Sequence, residues 1–461
     1  MSNKAEKKQK STAYNIIAVI TGALLMGLLW SIRGTHGWGS SWGLLNVGFI
    51  FTAYIICLLG GRKKLGLGWL AITSISFMVT TPAWGTIIVQ INGILKEKSG
   101  DSTAYVSAFS AVFLMLCLGF GVAALYGLLL GRAYSDVKWK MKDCFKVLIA
   151  FFAAGIIARL TVSILILNLV QPEAQSLFRE GLYKAGIQDP GWLAYIKHFG
   201  NEAWAKEIEG GRNYFASIKA ISSAVSAVAA ILTTKYVIKD DRAAKIGTAV
   251  CFAFAFAITV SDLFFFFGHG GWHEIQGFSL PEFIDARSMW EYSTGFVAGG
   301  IITAVMIKMK PAEDVDDLFV DDVPSTIKEI MTFLVGYVVL IMVNMVRPVM
   351  ERYENSIRQM QFVIITAVAS IVIVAVIAVL CGINVNKVDM RYYAAIMLVL
   401  TLIYNYPMYM FFGTKEHMAV NEIGMLHNIL ITASFVLVLI WATVNFFKAR
   451  KLKYENINNM R

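Results

Sequence analysis

Two ionisable side chains stand inside long apolar segments of this chain. Arg159 lies in the apolar run 147–170, and Asp262 lies in the run 246–267, just before four phenylalanines. Charged groups are costly in such surroundings and usually have a partner or a function there. Arg159 is therefore a candidate for binding an anionic group of a solute, and Asp262 is a candidate coupling residue that loads and releases a proton or sodium ion. The structural alternative is a permanent ion pair between the two side chains.

A second set of reactive side chains occupies two segments that are rich in glycine and tryptophan. His269 and His273 are four residues apart, Glu274 follows directly, and His36 lies in the other segment. On a helix, a spacing of four would place both imidazoles on one face. With His36 and Asp262 as further ligands, these side chains could hold zinc, and Glu274 could act as general base.

This ligand set loosely resembles that of the membrane zinc hydrolases of the ceramidase and adiponectin-receptor type, which combine a Ser, an Asp and three His. The resemblance implies an outward-facing membrane hydrolase or transferase that uses zinc. Two features depart from that family. The chain has too many apolar runs for seven helices, and Gly270 and Gly271 make 269–273 a poor helix. The main expectation is therefore that the histidines bind solute or backbone groups, with no cofactor.

Arginine and tryptophan side chains collect on one predicted side of the membrane. Tryptophan normally marks both interfaces of a membrane protein, so its concentration on one side indicates a vestibule. Stacking combined with charge suits a small polar solute that is anionic or sugar-like. The predicted substrate-binding residues are Arg33, His36, Trp38, Arg159, His269, Trp272, Arg287, Trp290 and Glu291.

Long apolar segments must position these residues. The mean hydropathy is +0.62 and only 16% of the residues are charged, which is more apolar surface than a soluble core can cover. These values predict an all-α polytopic membrane protein, because only internally bonded helices fit such long unbroken runs in lipid. About twelve runs are long enough to cross a bilayer. They are 13–32, 44–61, 65–85, 104–130, 147–170, 216–238, 246–267, 292–309, 327–346, 361–382, 391–413 and 425–447.

The distribution of lysine and arginine predicts that both ends of the chain lie in the cytoplasm. This also explains the net charge of +10 without nucleic acid as a partner. No P-loop is present, which argues against transport driven directly by ATP. The predicted organisation is a basic N-terminus (1–12), a first six-helix half (13–238) with an outer cap loop (171–215), a linker (239–245), a second six-helix half (246–447) and a cytoplasmic tail (448–461).

An internal similarity relates the two segments that are rich in glycine and tryptophan. At one fixed offset Gly34 matches Gly268, Gly37 matches Gly271, Trp38 matches Trp272, and Gly43 matches Gly277. The match predicts two parallel six-helix repeats with a solute held between them; two unrelated interfacial turns are the alternative.

The predicted function is a secondary transporter of a small polar solute in the cell membrane, with proton coupling through Asp262. The expected partners are the lipid bilayer and the solute. A membrane-embedded enzyme built on the histidines is the alternative, and a non-catalytic receptor that binds a partner through its outer loops is a third.

Overall fold

The fold is known from a computed structural model of the chain, and every described element is a helix or a turn. The described residues are 2–35, 40–60, 76–77, 108–137, 139–161, 165, 169, 176, 180–184, 186, 211–264, 281, 283–309, 364, 368, 372, 390–412 and 425–459. No strand occurs among them. This agrees with a chain whose backbone groups must be satisfied within each segment.

The described helices follow one another with short polar connections or with stretches outside the description. They are α1 (Ser2–Thr35), α2 (Ser40–Leu59), α3 (Ala108–Val122), α4 (Ala124–Ala133), α5 (Met141–Leu160), α6 (Gly211–Leu232), α7 (Asp241–Ser261), α8 (Ala286–Met309), α9 (Met390–Phe412) and α10 (Met425–Asn459). A π-helical turn, Thr233–Val237, continues α6. Within this part of the chain, 5 helices are long and apolar enough to cross a membrane, or 6 if α3 and α4, bent by 40°, form one span. The protein is a helical membrane protein.

Each predicted span that falls among described residues contains a helix, and the span 104–130 contains two, α3 and α4. The main differences are at helix starts, since α7 begins at Asp241 and α8 at Ala286, earlier than the predicted 246 and 292. Asp240 accepts a hydrogen bond from the backbone of Ala243, and Asp285 accepts one from the backbone of Ser288. Such caps begin a helix with polar residues that a search for apolar runs leaves out. The predicted spans 65–85, 327–346 and 361–382 lie mostly outside the described residues, so twelve crossings and their orientation stay predictions.

The helices α1 and α8 pack backbone against backbone in antiparallel directions. A Cβ atom at Gly299 would overlap the carbonyl oxygen of Gly22, and one at Gly295 would overlap that of Met26. Small residues allow this close approach, which is how helices associate in a membrane without a hydrophobic driving force. The pairing aligns the last turn of α1 with the first turns of α8.

The helices α1 and α7 run in the same direction, because each is antiparallel to α8. Arg242 at the start of α7 donates a hydrogen bond of 2.7 Å to the carbonyl of Met309 at the end of α8. Rings of α1 and α7 also meet, since the centroids of Trp30 and Phe254 are 5.2 Å apart. A parallel α1 and α7 is what the two-half interpretation requires. The duplication itself stays a prediction, because 36–39 and 265–280 lie outside the described residues.

One end of the bundle holds the start of α1 and is called here the inner end; the opposite end is the outer end. At the inner end Asp240 is fully buried and accepts three hydrogen bonds, from Ser135 Oγ at 2.7 Å, Trp139 Nε1 at 2.7 Å and the Ala243 backbone at 2.8 Å. Arg391 of α9 donates to the carbonyl of Leu59, the last residue of α2. These contacts join loops and helix ends at the inner end, and they satisfy the Asp240 carboxylate and the Leu59 carbonyl.

Candidate functional site

A buried ion pair joins α1 to α8 at the outer end. Arg33 Nη2 lies 2.7 Å from Glu291 Oε2, and the two side chains are only 5% and 6% exposed. The guanidinium carbon of Arg33 also lies 4.5 Å from the ring centroid of Trp30. Both charged residues were predicted to bind substrate. In this conformation each instead neutralises the other, and the sequence carried no signal for a contact between residues 258 positions apart.

An aromatic layer lies on the inner side of this ion pair. It consists of Trp30, Phe77, Tyr126 and Phe254, each of them buried. The ring centroid of Phe77 lies 5.9 Å from that of Trp30, 5.3 Å from that of Phe254 and 4.9 Å from that of Tyr126. Close-packed rings of this size leave no space for water between them. Among the described residues, an apolar layer therefore lies between the Arg33–Glu291 pair and the polar groups of the inner end.

Asp262 follows α7 directly and lies outward of the aromatic layer. It is eight residues beyond Phe254, which is about 12 Å along a helix, and it is 3% exposed. Both of its carboxylate oxygens are buried and accept no hydrogen bond within the described structure. The hydroxyl of Ser261 is also buried and has no hydrogen-bond partner there. Helical backbone resumes at Leu263 and Phe264, so Asp262 marks a break between two helical segments. Nothing among the described groups compensates an ionised carboxylate at this place.

Arg159 does not supply the missing charge. It lies one residue before the end of α5, half-buried, whereas the prediction placed it midway along a span. The charged group that acts on it from α6 is Lys219, which is also cationic. The permanent Arg159–Asp262 ion pair, which was the structural alternative, is absent, because the Asp262 carboxylate accepts no hydrogen bond. Arg159 and Asp262 thus belong to different parts of the outer half.

His427 is a buried polar residue that was not predicted from the sequence. It lies in the first turn of α10, has no exposed surface, and places Nε2 3.2 Å from the hydroxyl of Ser31 on α1. Its Nδ1 is buried and has no hydrogen-bond partner among the described residues. A single histidine at the start of an apolar run resembles an ordinary interfacial residue. Only the packing of α10 on α1 reveals that it is enclosed at the outer end.

The remaining predicted site residues divide into two groups. Trp290 is buried on α8 beside Glu291, and Arg287 is exposed one turn earlier. The others lie outside the described residues: His36, Trp38, His269, Trp272, His273 and Glu274. Three of the four ligands of the zinc alternative are in this group. Within the described part of the chain, no group of three or more His, Cys, Asp or Glu side chains could hold a metal ion.

Comparison with known proteins gives little further information. No known protein family matches the chain, and no curated protein matches it. Two crystal structures of mutants of the Eremococcus coleocola manganese transporter are similar over 95% of this chain and 95% of theirs, at 11% sequence identity and TM-scores of 0.12 and 0.13. These scores are too low to indicate a common fold, so the functional argument rests on the side chains themselves.

Proposed function

We propose that the protein is a secondary transporter of a small polar solute and that Asp262 is its coupling carboxylate. The observation that carries this proposal is a carboxylate that is 97% enclosed and accepts no hydrogen bond within the described structure. An isolated ionised carboxylate costs several kcal/mol in a protein interior. A carboxylate held in this way is stable only with a proton or a cation, and a cycle of loading and release is what a coupled carrier needs.

Asp240 provides the internal comparison. It is as deeply buried as Asp262, but three donors satisfy its oxygens, and it caps the start of α7. Asp240 therefore has a structural role that explains its burial. Asp262 stands at the other end of the same helix without such donors, so structure alone does not account for it. The same helix joins a satisfied carboxylate at the inner end to an unsatisfied one at the outer end.

The Arg33–Glu291 pair is proposed as the outer gate. It connects α1 of the first predicted half with α8 of the second, and the aromatic layer lies directly behind it. In a carrier built of two halves, rocking of one half against the other opens each side in turn. Opening the outer side would separate the pair and expose both charges. The guanidinium and the carboxylate would then be free to bind polar groups of the solute, as the sequence analysis predicted for each of them.

Uptake into proteoliposomes tests this function. The purified protein is reconstituted, and a panel of small polar solutes is screened under imposed proton and sodium gradients. We expect accumulation of one solute class by the wild type and its loss in Asp262→Asn. The matched control is Thr259→Ala on the same helix, because the Thr259 hydroxyl is already bonded to the carbonyl of Ala255.

Two outcomes would contradict the transport function. One is gradient-driven uptake by Asp262→Asn at the wild-type rate in a protein that elutes as a single folded species. The other is the absence of uptake of every solute by the wild type in sealed, correctly oriented vesicles. Either result would favour the alternative function, a membrane-embedded enzyme built on the histidines that lie outside the described part of the chain.

A further inference from the structure

We infer that Asp262 and Ser261 form a sodium site at the outer end of α7. This inference rests on the proposed coupling role of Asp262 and names the ion. The site offers both carboxylate oxygens and the hydroxyl of Ser261, all buried and without a hydrogen-bond donor among the described groups. The backbone N–H of Asp262 reaches the carbonyls of Ile258 and Val260, and helical backbone resumes at Leu263, so the two residues stand at a break in the helix. Oxygen ligands at a break in a membrane helix are how carriers hold sodium within a membrane.

The hydroxyl of Ser261 differs from its neighbours on α7. Thr248 donates to the carbonyl of Ala244, and Thr259 donates to that of Ala255, both at 2.8 Å. This bond to the residue four positions earlier is the usual way in which a hydroxyl is satisfied in an apolar helix. Ser261 makes no such bond, although it is only 1% exposed. Its oxygen is therefore a further buried oxygen without a hydrogen-bond partner, in the residue directly before Asp262.

The balance of buried charge determines the sign of the ligand. Apart from Asp262, the buried Asp, Glu, Lys and Arg side chains of the described structure are Arg33, Glu291, Arg132 and Asp240. Arg33 pairs with Glu291, and Asp240 lies within the electrostatic reach of Arg132. The charge that remains is the negative one of Asp262. A bound anion would be repelled here, so the ligand is a cation.

Sodium satisfies this site better than a proton or a divalent ion. A proton would neutralise the carboxylate, but the new O–H would need an acceptor, and the remaining oxygens would still lack donors. Sodium contacts several oxygens at once and adds the single charge that the site lacks. A divalent ion would leave an excess positive charge beside one carboxylate, and the described residues contain no group of three ligands of the kind that holds such ions.

Thermal stability of the full-length protein in detergent is the test, with sodium chloride as the probe. Stability is measured at one alkaline pH while sodium replaces choline at constant ionic strength. A ligand that binds only the folded state raises Tm with concentration. We expect a saturable rise for the wild type and for the control Thr259→Ala. Ser261→Ala should shift the half-saturating sodium concentration upward by about tenfold, the loss of one ligand, and Asp262→Asn should abolish the response.

Several results would overturn the sodium site. They are a wild-type Tm that does not change with sodium, a rise that potassium reproduces, and a rise that persists in Asp262→Asn. Should Asp262→Asn fail to fold, the tenfold shift in Ser261→Ala remains decisive, because that change removes only one oxygen. If sodium does not bind but a proton gradient drives uptake, sodium is refuted as the ligand of Asp262, and the proposed transport function stands.

Discussion

Breaking the Arg33–Glu291 pair from one side should destabilise the protein far more than removing both charges. In Arg33→Met the Glu291 carboxylate stays buried without its partner, which costs about 3–5 kcal/mol. The change also removes the contact of the guanidinium with Trp30, a cation–π interaction of roughly 0.5–2 kcal/mol. The expected loss in the free energy of unfolding is therefore about 3.5–7 kcal/mol.

The double variant Arg33→Met/Glu291→Leu should recover most of this loss, because two apolar side chains of similar volume need no charge compensation. The free energy of unfolding in mixed micelles is measured for the wild type, both single variants and the double variant. Arg287→Met is the matched control, since Arg287 is an exposed arginine one turn from Glu291, and it should change stability by about 0.5 kcal/mol or less. The reasoning would be refuted if Arg33→Met behaved like Arg287→Met, or if the double variant were as unstable as the sum of the single ones.

Three further predictions concern packing, capping and orientation. Gly299→Ala should lower the free energy of unfolding by about 1–3 kcal/mol, because its methyl group meets the backbone of α1. The control Gly300→Ala should be tolerated, since the nearest atom to its Cβ is 3.4 Å away. Equal effects of the two changes in the same unfolding assay would contradict the packing of α1 on α8. Asp240→Ala should lower the free energy of unfolding by about 3 kcal/mol, because three buried donors lose their acceptor. An unchanged Tm would show that the hydrogen bonds to Asp240 do not stabilise the protein. In intact cells, a membrane-impermeant thiol reagent should label Lys184→Cys and spare Lys140→Cys, both exposed positions, and the reverse pattern would invert the predicted orientation.

Hydropathy was sufficient to predict a helical membrane protein, because lipid forces every long apolar run to satisfy its own backbone. It was less accurate at the helix starts, where Asp240 and Asp285 begin α7 and α8 with capping bonds. The bend between α3 and α4 was not predicted either, because composition is uniformly apolar across it. These differences arise where local hydrogen bonds, and not burial, determine where a helix begins or turns.

The candidate site was predicted as separate residues. Asp262 was singled out because an ionisable group in an apolar run is unusual by composition alone, whereas Arg33 and Glu291 were singled out with the arginines and tryptophans of the predicted outer side. Their relations were not predictable: Arg33 was assigned to the solute and is paired with Glu291, and the Asp262 carboxylate accepts no hydrogen bond from Arg159. His427 was missed because only its enclosure by α1 distinguishes it from an interfacial histidine.

The sequence by itself determined that this is a membrane protein, that it is helical, and which few charged residues lie in or beside apolar segments. Those properties follow from transfer free energies, which depend on each segment separately. Only the tertiary structure decided which charges are compensated. Compensation depends on ångström distances between helices far apart in the chain, as for Arg33 and Glu291 at 2.7 Å. The tertiary structure also shows that the Asp262 carboxylate is buried and accepts no hydrogen bond in the described structure.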